Sequence, residues 1–181
     1  MAQKMNINEQ ELIEAVKRND RAAQRQLYDR FSPKMYSICL RYMENRDDAA
    51  DMLQEGFIKV FTSIERFSNL GSFEGWMRRI FVNVCLENIR QTDILRQGVP
   101  IEESEVIEDY DHSVLDRMSA DELMGLISEM PPGFRTIFNL FAIEGYSHKE
   151  IAEMLDIAEA SSRSQFTRAK RYLQERVKRI N

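Results

Sequence analysis

A chain of 181 residues suits one medium domain or two small ones. With 43% hydrophobic and 30% charged residues it reads as a folded soluble protein, and a formal charge of −5 argues against a uniformly basic nucleic-acid coat. No apolar run is long enough to span a membrane, and MAQKMNINEQ lacks the apolar core of a signal peptide, so a cytoplasmic protein without membrane insertion is expected.

Gly and Pro are scarce while Ala, Glu, Arg, Leu and Met are plentiful, which favours helix over sheet and predicts an all-α fold. Asn8 with Glu11 opens a first helix whose inner face is Leu12, Ile13 and Val16. A second helix holds Leu27 and Phe31. A third follows Pro33, with Met35, Ile38, Cys39 and Tyr42 on one side. Asn45 and Asp48 open a fourth, with the stripe Leu53, Phe57, Val60, Phe61 and Ile64. On that helix Asp51 and Glu55 are four apart and share a face. The turn SNLGS, residues 68–72, leads into a fifth helix carrying Phe73, Trp76, Ile80, Val84 and Ile89. Trp76 fits either the core or an exposed contact. Arg78 and Arg79 are neighbours and cannot both face inward. Cys39 and Cys85 lie in apolar helical patterns without C-x-x-C spacing and read as reduced core thiols.

The segment QGVPIEESEVIEDYDHS, residues 97–113, is acidic and has no helical apolar period, as expected of a linker. Charge divides the chain in the same way. Residues 1–92 carry net +1, residues 93–118 net −6 and residues 119–181 net 0. Two small helical domains, 1–92 and 119–181, joined by an acidic linker at 93–118 are therefore expected.

Beyond the linker, Leu123, Leu126 and Ile127 fit a helix that stops at Met130. Pro131 and Pro132 then start another, with Phe134, Ile137, Phe138 and Phe141, that ends before Gly145. Ser147 and Glu150 form a capping-box pair, and Ile151 and Leu155 face inward from the helix they open. Ala152 is small where a second helix must cross closely. Asp156 sits at the turn, where a positive φ is expected. A last helix runs from about Glu159 to Val177 with Phe166, Ala169 and Leu173 inside. Ser161, Arg163, Ser164, Gln165 and Arg168 remain largely outside. Residues 163–181 carry net +6, and it is the local field that phosphates meet. These features describe a helix-turn-helix offering hydroxyl, amide and guanidinium groups to a major groove, or else a helical hairpin with a solvated basic face.

The segment LISEMPPGFRTIFNLFAIEGYSHKEIAEMLDIAEASSRSQFTRAKRYLQERV resembles region 4 of the extracytoplasmic-function (ECF) sigma factors of the sigma-70 family. Independently, DDAADMLQEGFIKVFTSIERF and FEGWMRRIFVNVCLENIR resemble region 2. Together they cover most of the chain in the family's order. The sequence departs from the family at Asp156, where Gly is usual, at Ala160, where Gly is frequent, and at Ser162, in a usually aliphatic slot. These departures are expected to weaken the packing of the last helix. The resemblance implies a factor that directs core RNA polymerase to promoters. Asp51, Gln54 and Glu55 match the motif that docks on the β′ clamp helices. Asn69 to Phe73, with Trp76, Arg78, Arg79 and Asn83, match the part that opens and reads the −10 element. Ser161, Arg163, Ser164 and Gln165 would enter the −35 major groove. Arg168 and Arg171 would hold phosphates, and Lys149 would contact the DNA backbone. The β flap and an anti-sigma factor are further implied partners.

Two other function classes differ at definite residues. A repressor or activator would share the helix-turn-helix but would not need the Asp51/Glu55 face. An enzyme would need a catalytic or metal-ligand pattern around His112 or His148, and neither has one, nor is there a phosphate-binding Gly loop. No cofactor, metal or catalysis is expected.

Overall fold

The computed structural model describes residues 8–91 and 120–180. The linker expected at 93–118, with His112, lies outside the described residues. Among the described residues there are helices and no strand: α1 (Glu9–Lys17), α2 (Arg21–Tyr42), α3 (Arg46–Ser63), α4 (Phe73–Gln91), α5 (Ala120–Ser128), α6 (Pro132–Phe138), α7 (His148–Leu155) and α8 (Glu159–Ile180). A short 3₁₀ turn, Ile64–Arg66, follows α3, and a π-helical turn, Asn139–Ile143, follows α6. The chain divides into two compact units, Met1–Cys85 and Leu86–Asn181. The division falls inside α4, ahead of the residue 92 boundary that charge suggests.

In the first unit the helix starts are set by short polar side chains. Asn8 caps α1 by accepting from the Gln10 N–H, and Asp20 caps α2 by accepting from Ala22 and Ala23. Asn45 caps α3 by accepting from the Asp48 N–H at 2.8 Å.

One expectation is corrected here. Residues 21–42 form a single helix that passes through Pro33. A proline in a helix interior removes a hydrogen bond and crowds the carbonyl four residues back, at a cost of about 3 kcal/mol. Pro33 itself is exposed. Leu27 and Phe31 before it and Met35, Ile38 and Cys39 after it are all buried on one continuous stripe. Burying each such side chain contributes about 1.5–3 kcal/mol, so keeping the stripe whole outweighs the local defect.

Gly56 of α3 marks a very close helix approach. A Cβ there would lie 2.2 Å from the Phe81 ring of α4. Phe81 is fully buried and meets Phe57 edge-on at 5.3 Å, so its ring has no room to retreat. Cys39 and Cys85 are both free and buried. A hydrogen bond with Cys39, together with burial, pushes the Cys85 thiol far above its ordinary range and keeps it protonated.

In the second unit α8 packs Ala169, Leu173 and Val177 against Leu126, Ile127 and Met130 from α5 and the turn after it. The sequence pattern suggests an ordinary helix from Pro132 to about Gly145. The structure instead widens its last turn. The Glu144 N–H donates five residues back to the Asn139 carbonyl at 2.9 Å, and Gly145, at φ 80°, ends the helix. Nor does the pattern single out Arg135, which is buried and donates through Nη1 to the Ser128 carbonyl at 2.9 Å. A cation there satisfies the C-terminal end of α5.

The α3–α4 crossing yields a stability prediction. Gly56→Ala should destabilise the protein by about 1–3 kcal/mol through overpacking against Phe81. Alanine's helix-propensity gain of about 1 kcal/mol would offset only part of that. Urea unfolding checks it, and a Gly56→Ala protein as stable as the parent would show that the crossing relaxes freely.

Candidate functional site

Three polar surfaces stand on apolar backing. The first lies on α3. Asn45 starts the helix, and its buried positions Ala49, Met52, Leu53, Phe57 and Val60 fix which residues face out. Asp51, Gln54 and Glu55 are all exposed, and Glu55 pairs with Lys59 at 3.3 Å. Ile58 stands among them, four residues after Gln54, with 62% of its surface exposed. The expected stripe omits Ile58. Its i+3 and i+4 spacing from Glu55 and Gln54 is the signal that would have placed it on the acidic face.

The second surface is the 68–72 turn with the start of α4. Asn69 and Gly71 both take positive φ, 58° and 112°. Ser72 then caps α4, its Oγ accepting from the Gly75 N–H at 3.1 Å. This path leaves Leu70 90% exposed, a position that the sequence pattern does not single out. Phe73 is buried, edge-on to Phe31 and Phe67. Trp76 is half-buried, stacked on Phe73 at 5.5 Å and tilted against Phe67 at 5.5 Å. Trp76 therefore has a packed side and an open side, and Phe73 stands behind it. Arg79, Asn83 and Asn69 are exposed, while Arg78 is half-buried.

The third surface is the helix-turn-helix of α7 and α8. Ser147 and Glu150 close the expected capping box: the Ser147 N–H and Oγ donate to Glu150 Oε2 at 2.8 and 2.7 Å, and the Glu150 N–H donates back to Ser147 Oγ. These bonds hold the Glu150 carboxyl below its ordinary range. Asp156 takes the left-handed conformation, φ 54°, and the Ile157 N–H donates to the Ala152 carbonyl at 3.1 Å. The turn is thus made with Asp where Gly would be unstrained.

On α8, Arg163 is exposed and paired with Glu159 one turn back. Lys149, on α7, and Ser164 are also exposed. Ser161, Gln165, Arg168 and Arg171 are half-buried. Gln165 Oε1 lies close enough to α6 that a Cβ on Gly133 would sit 3.1 Å from it. Ser162 is fully buried, and its hydroxyl lies 2.9 Å from His148 Nδ1. The slot is therefore filled by a satisfied polar group. The His148 ring stacks on Phe141 at 4.3 Å and meets Phe166 at 5.7 Å. Burial, then the Arg163 charge, holds the His148 imidazole below its usual range, while Glu159 opposes them.

Residues 27–93 match the family Sigma-70 region 2, and residues 120–173 match Sigma-70, region 4. The chain is 32% identical over 158 residues to the ECF RNA polymerase sigma factor SigE of Mycolicibacterium smegmatis, a match over 83% of this chain that spans 60% of the length of that relative. It is 28% identical over 184 residues to the ECF RNA polymerase sigma-E factor of Haemophilus influenzae, covering 94% of this chain and 96% of that protein. Its fold is similar to that of the sigma factor RpoE of Bartonella quintana, solved with the anti-sigma factor NepR, at a TM-score of 0.51 and 19% identity over 87% of this chain and 97% of that one.

The His148 environment gives a pH prediction. Its folded pKa lies below the unfolded value of about 6.5, so the unfolded chain takes up the proton first. The contribution to stability is complete above that value and is lost as pH falls below it. Replacing His148 by Phe should remove this component. Urea unfolding of parent and variant at about pH 7.5 and about pH 5.5 reads the difference, and identical pH dependence in the two proteins would contradict it.

Proposed function

The chain belongs to the ECF group of the sigma-70 family of RNA polymerase sigma factors, and we propose how its parts divide the work of promoter-directed transcription initiation. Residues 1–92 dock on core RNA polymerase and open the −10 element, residues 119–181 read the −35 element, and residues 93–118 tether the two. The carrying observation is the helix-turn-helix, in which Ser162 and Ala169 are buried while Arg163 and Ser164 face out. That orientation is what a helix needs to present a guanidinium and a hydroxyl to base edges.

On α3, Asp51, Gln54 and Glu55 receive cationic side chains of the β′ clamp helices, and Ile58 adds an apolar contact. At the −10 element, separating bases costs a few kcal/mol for each one flipped. Trp76, held from behind by Phe73, supplies an aromatic surface, and Arg78, Arg79, Asn69 and Asn83 supply phosphate and base contacts. At the −35 element Arg163 pairs with a base, Ser161, Ser164 and Gln165 line the groove, and Lys149, Arg168 and Arg171 hold phosphates. Reaching a base requires Arg163 to exchange Glu159 for DNA, which is inexpensive because an exposed pair is worth about 0–1 kcal/mol. The second unit also meets the β flap. An anti-sigma factor is a further partner, as NepR is for the Bartonella protein. The chain acts in the cytoplasm and contributes no catalytic group. Among the described residues no helix is long and apolar enough to cross a membrane.

In vitro transcription tests the whole reading. Core polymerase with this chain is given a genomic promoter library and start sites are mapped. A common pair of upstream elements supports it. DNA binding without core binding would favour a repressor or activator instead.

Two sets of variants test the parts. Asp51→Arg with Glu55→Arg should weaken core binding and leave the circular dichroism unchanged, and undiminished capture of core would remove the docking role. Arg163→Ala should cost about 1–3 kcal/mol on the cognate −35 element and relax its specificity. Arg171→Ala should weaken binding across sequences and lower the salt dependence. The same sequence-independent loss in both would reduce Arg163 to a phosphate contact.

A further inference from the structure

The helix-turn-helix holds a polar pair inside its core. Ser162 is 0% exposed, and its side-chain hydroxyl is hydrogen-bonded to His148 Nδ1. Which of the two atoms donates depends on the imidazole tautomer. If Nδ1 accepts, the ring hydrogen sits on Nε2. Phe141, stacked at 14°, and Phe166 hold the plane of the ring. Nε2 makes no hydrogen bond within the described residues. His148 is the first residue of α7, between the cap Ser147 and the exposed Lys149. In helix-turn-helix proteins this first helix crosses the sugar–phosphate backbone.

We propose that Ser162 is a positioning residue that holds His148 as the Nε2–H tautomer, and that His148 Nε2–H donates to a phosphate oxygen of the −35 DNA. The proposal rests on the assignment of residues 119–181 to the −35 element. It gives the polar residue in a usually aliphatic slot a task carried out through its neighbour. It also separates His148 from Lys149. A neutral donor releases no counterion, so it adds affinity without steepening the salt dependence.

The test has two arms. In the first, the ¹⁵N-labelled full chain carrying His112→Gln, with His148 its one imidazole, is examined by NMR. The expected spectrum has a hydrogen-bearing Nε2 and an accepting Nδ1, and Ser162→Ala should mix the tautomers. In the second, the full chain is assembled with core polymerase and titrated, over a salt series, onto the promoter duplex transcribed most strongly from the library. His148→Phe and Ser162→Ala should each weaken binding about three- to tenfold, the range for one hydrogen bond, with the salt slope unchanged. His148→Gln, whose amide nitrogen can take the place of Nε2, should retain most of the affinity, and adding Ser162→Ala to it should change nothing more.

A hydrogen on Nδ1 in the parent overturns the positioning role. Parent-like binding by His148→Phe, with Arg163→Ala impaired, overturns the phosphate contact while the −35 assignment stands. Parent-like binding by both Arg163→Ala and Lys149→Ala removes the −35 assignment and this proposal with it. If Ser162→Ala fails to fold, the parent tautomer and the contrast between His148→Phe and His148→Gln decide.

Discussion

A helix that gives one stripe to a core must show its other residues outward at fixed angles, and this constraint organises both units. On α3 the buried run from Ala49 to Val60 leaves Asp51, Gln54, Glu55 and Ile58 nowhere to point but out. On α8, Ser162, Ala169 and Leu173 face in, so Arg163 and Ser164 face away. The polar surfaces of α3 and α8 need no special loops to display them. They follow from which residues are apolar, together with the caps that set where each helix begins. Where irregular backbone does appear, at Asn69 and Gly71, it precedes a capped helix and delivers an exposed apolar tip, Leu70.

Much of this is legible from residue spacing because the signals are local. The Ser147–Glu150 box, the positive φ at Asp156 and the Asn45 cap all depend on a few neighbouring residues, and all are present. Pro33 misleads for the opposite reason. Its local cost is real, and a long-range stripe outweighs it. The π turn at Asn139–Ile143 and the burial of Arg135 have no local signature, since each answers to packing and carbonyl satisfaction between helices. Among the candidate site residues, exposure is readable by period for Arg163 and Asp51. The support behind Trp76 from Phe73 and Phe67, and the His148–Ser162 pair, join residues whose adjacency only the fold reveals.

Charge shows the same division between composition and placement. The chain is acidic, yet residues 163–181 carry net +6. Several of those cations have intramolecular partners: Arg163 with Glu159, Lys170 over the Phe166 ring at 5.3 Å, and Arg176 with Glu129 at 3.2 Å. Such exposed pairs contribute little to stability. Their effect is to hold long, flexible side chains near defined positions, and on the proposed assignment this reduces the entropy Arg163 loses when DNA replaces Glu159.

The contact between Gly56 and Phe81 carries one more implication. The carboxylates of α3 and the turn that feeds α4 belong to two helices joined where one backbone rests directly on a wedged, fully buried ring. Close-packed interiors have low compressibility. The junction therefore has almost no mechanical play. On the proposed assignment, a large partner gripping α3 grips the strand-opening surface as well, and the precision with which the protein meets its polymerase becomes the precision with which it meets its DNA.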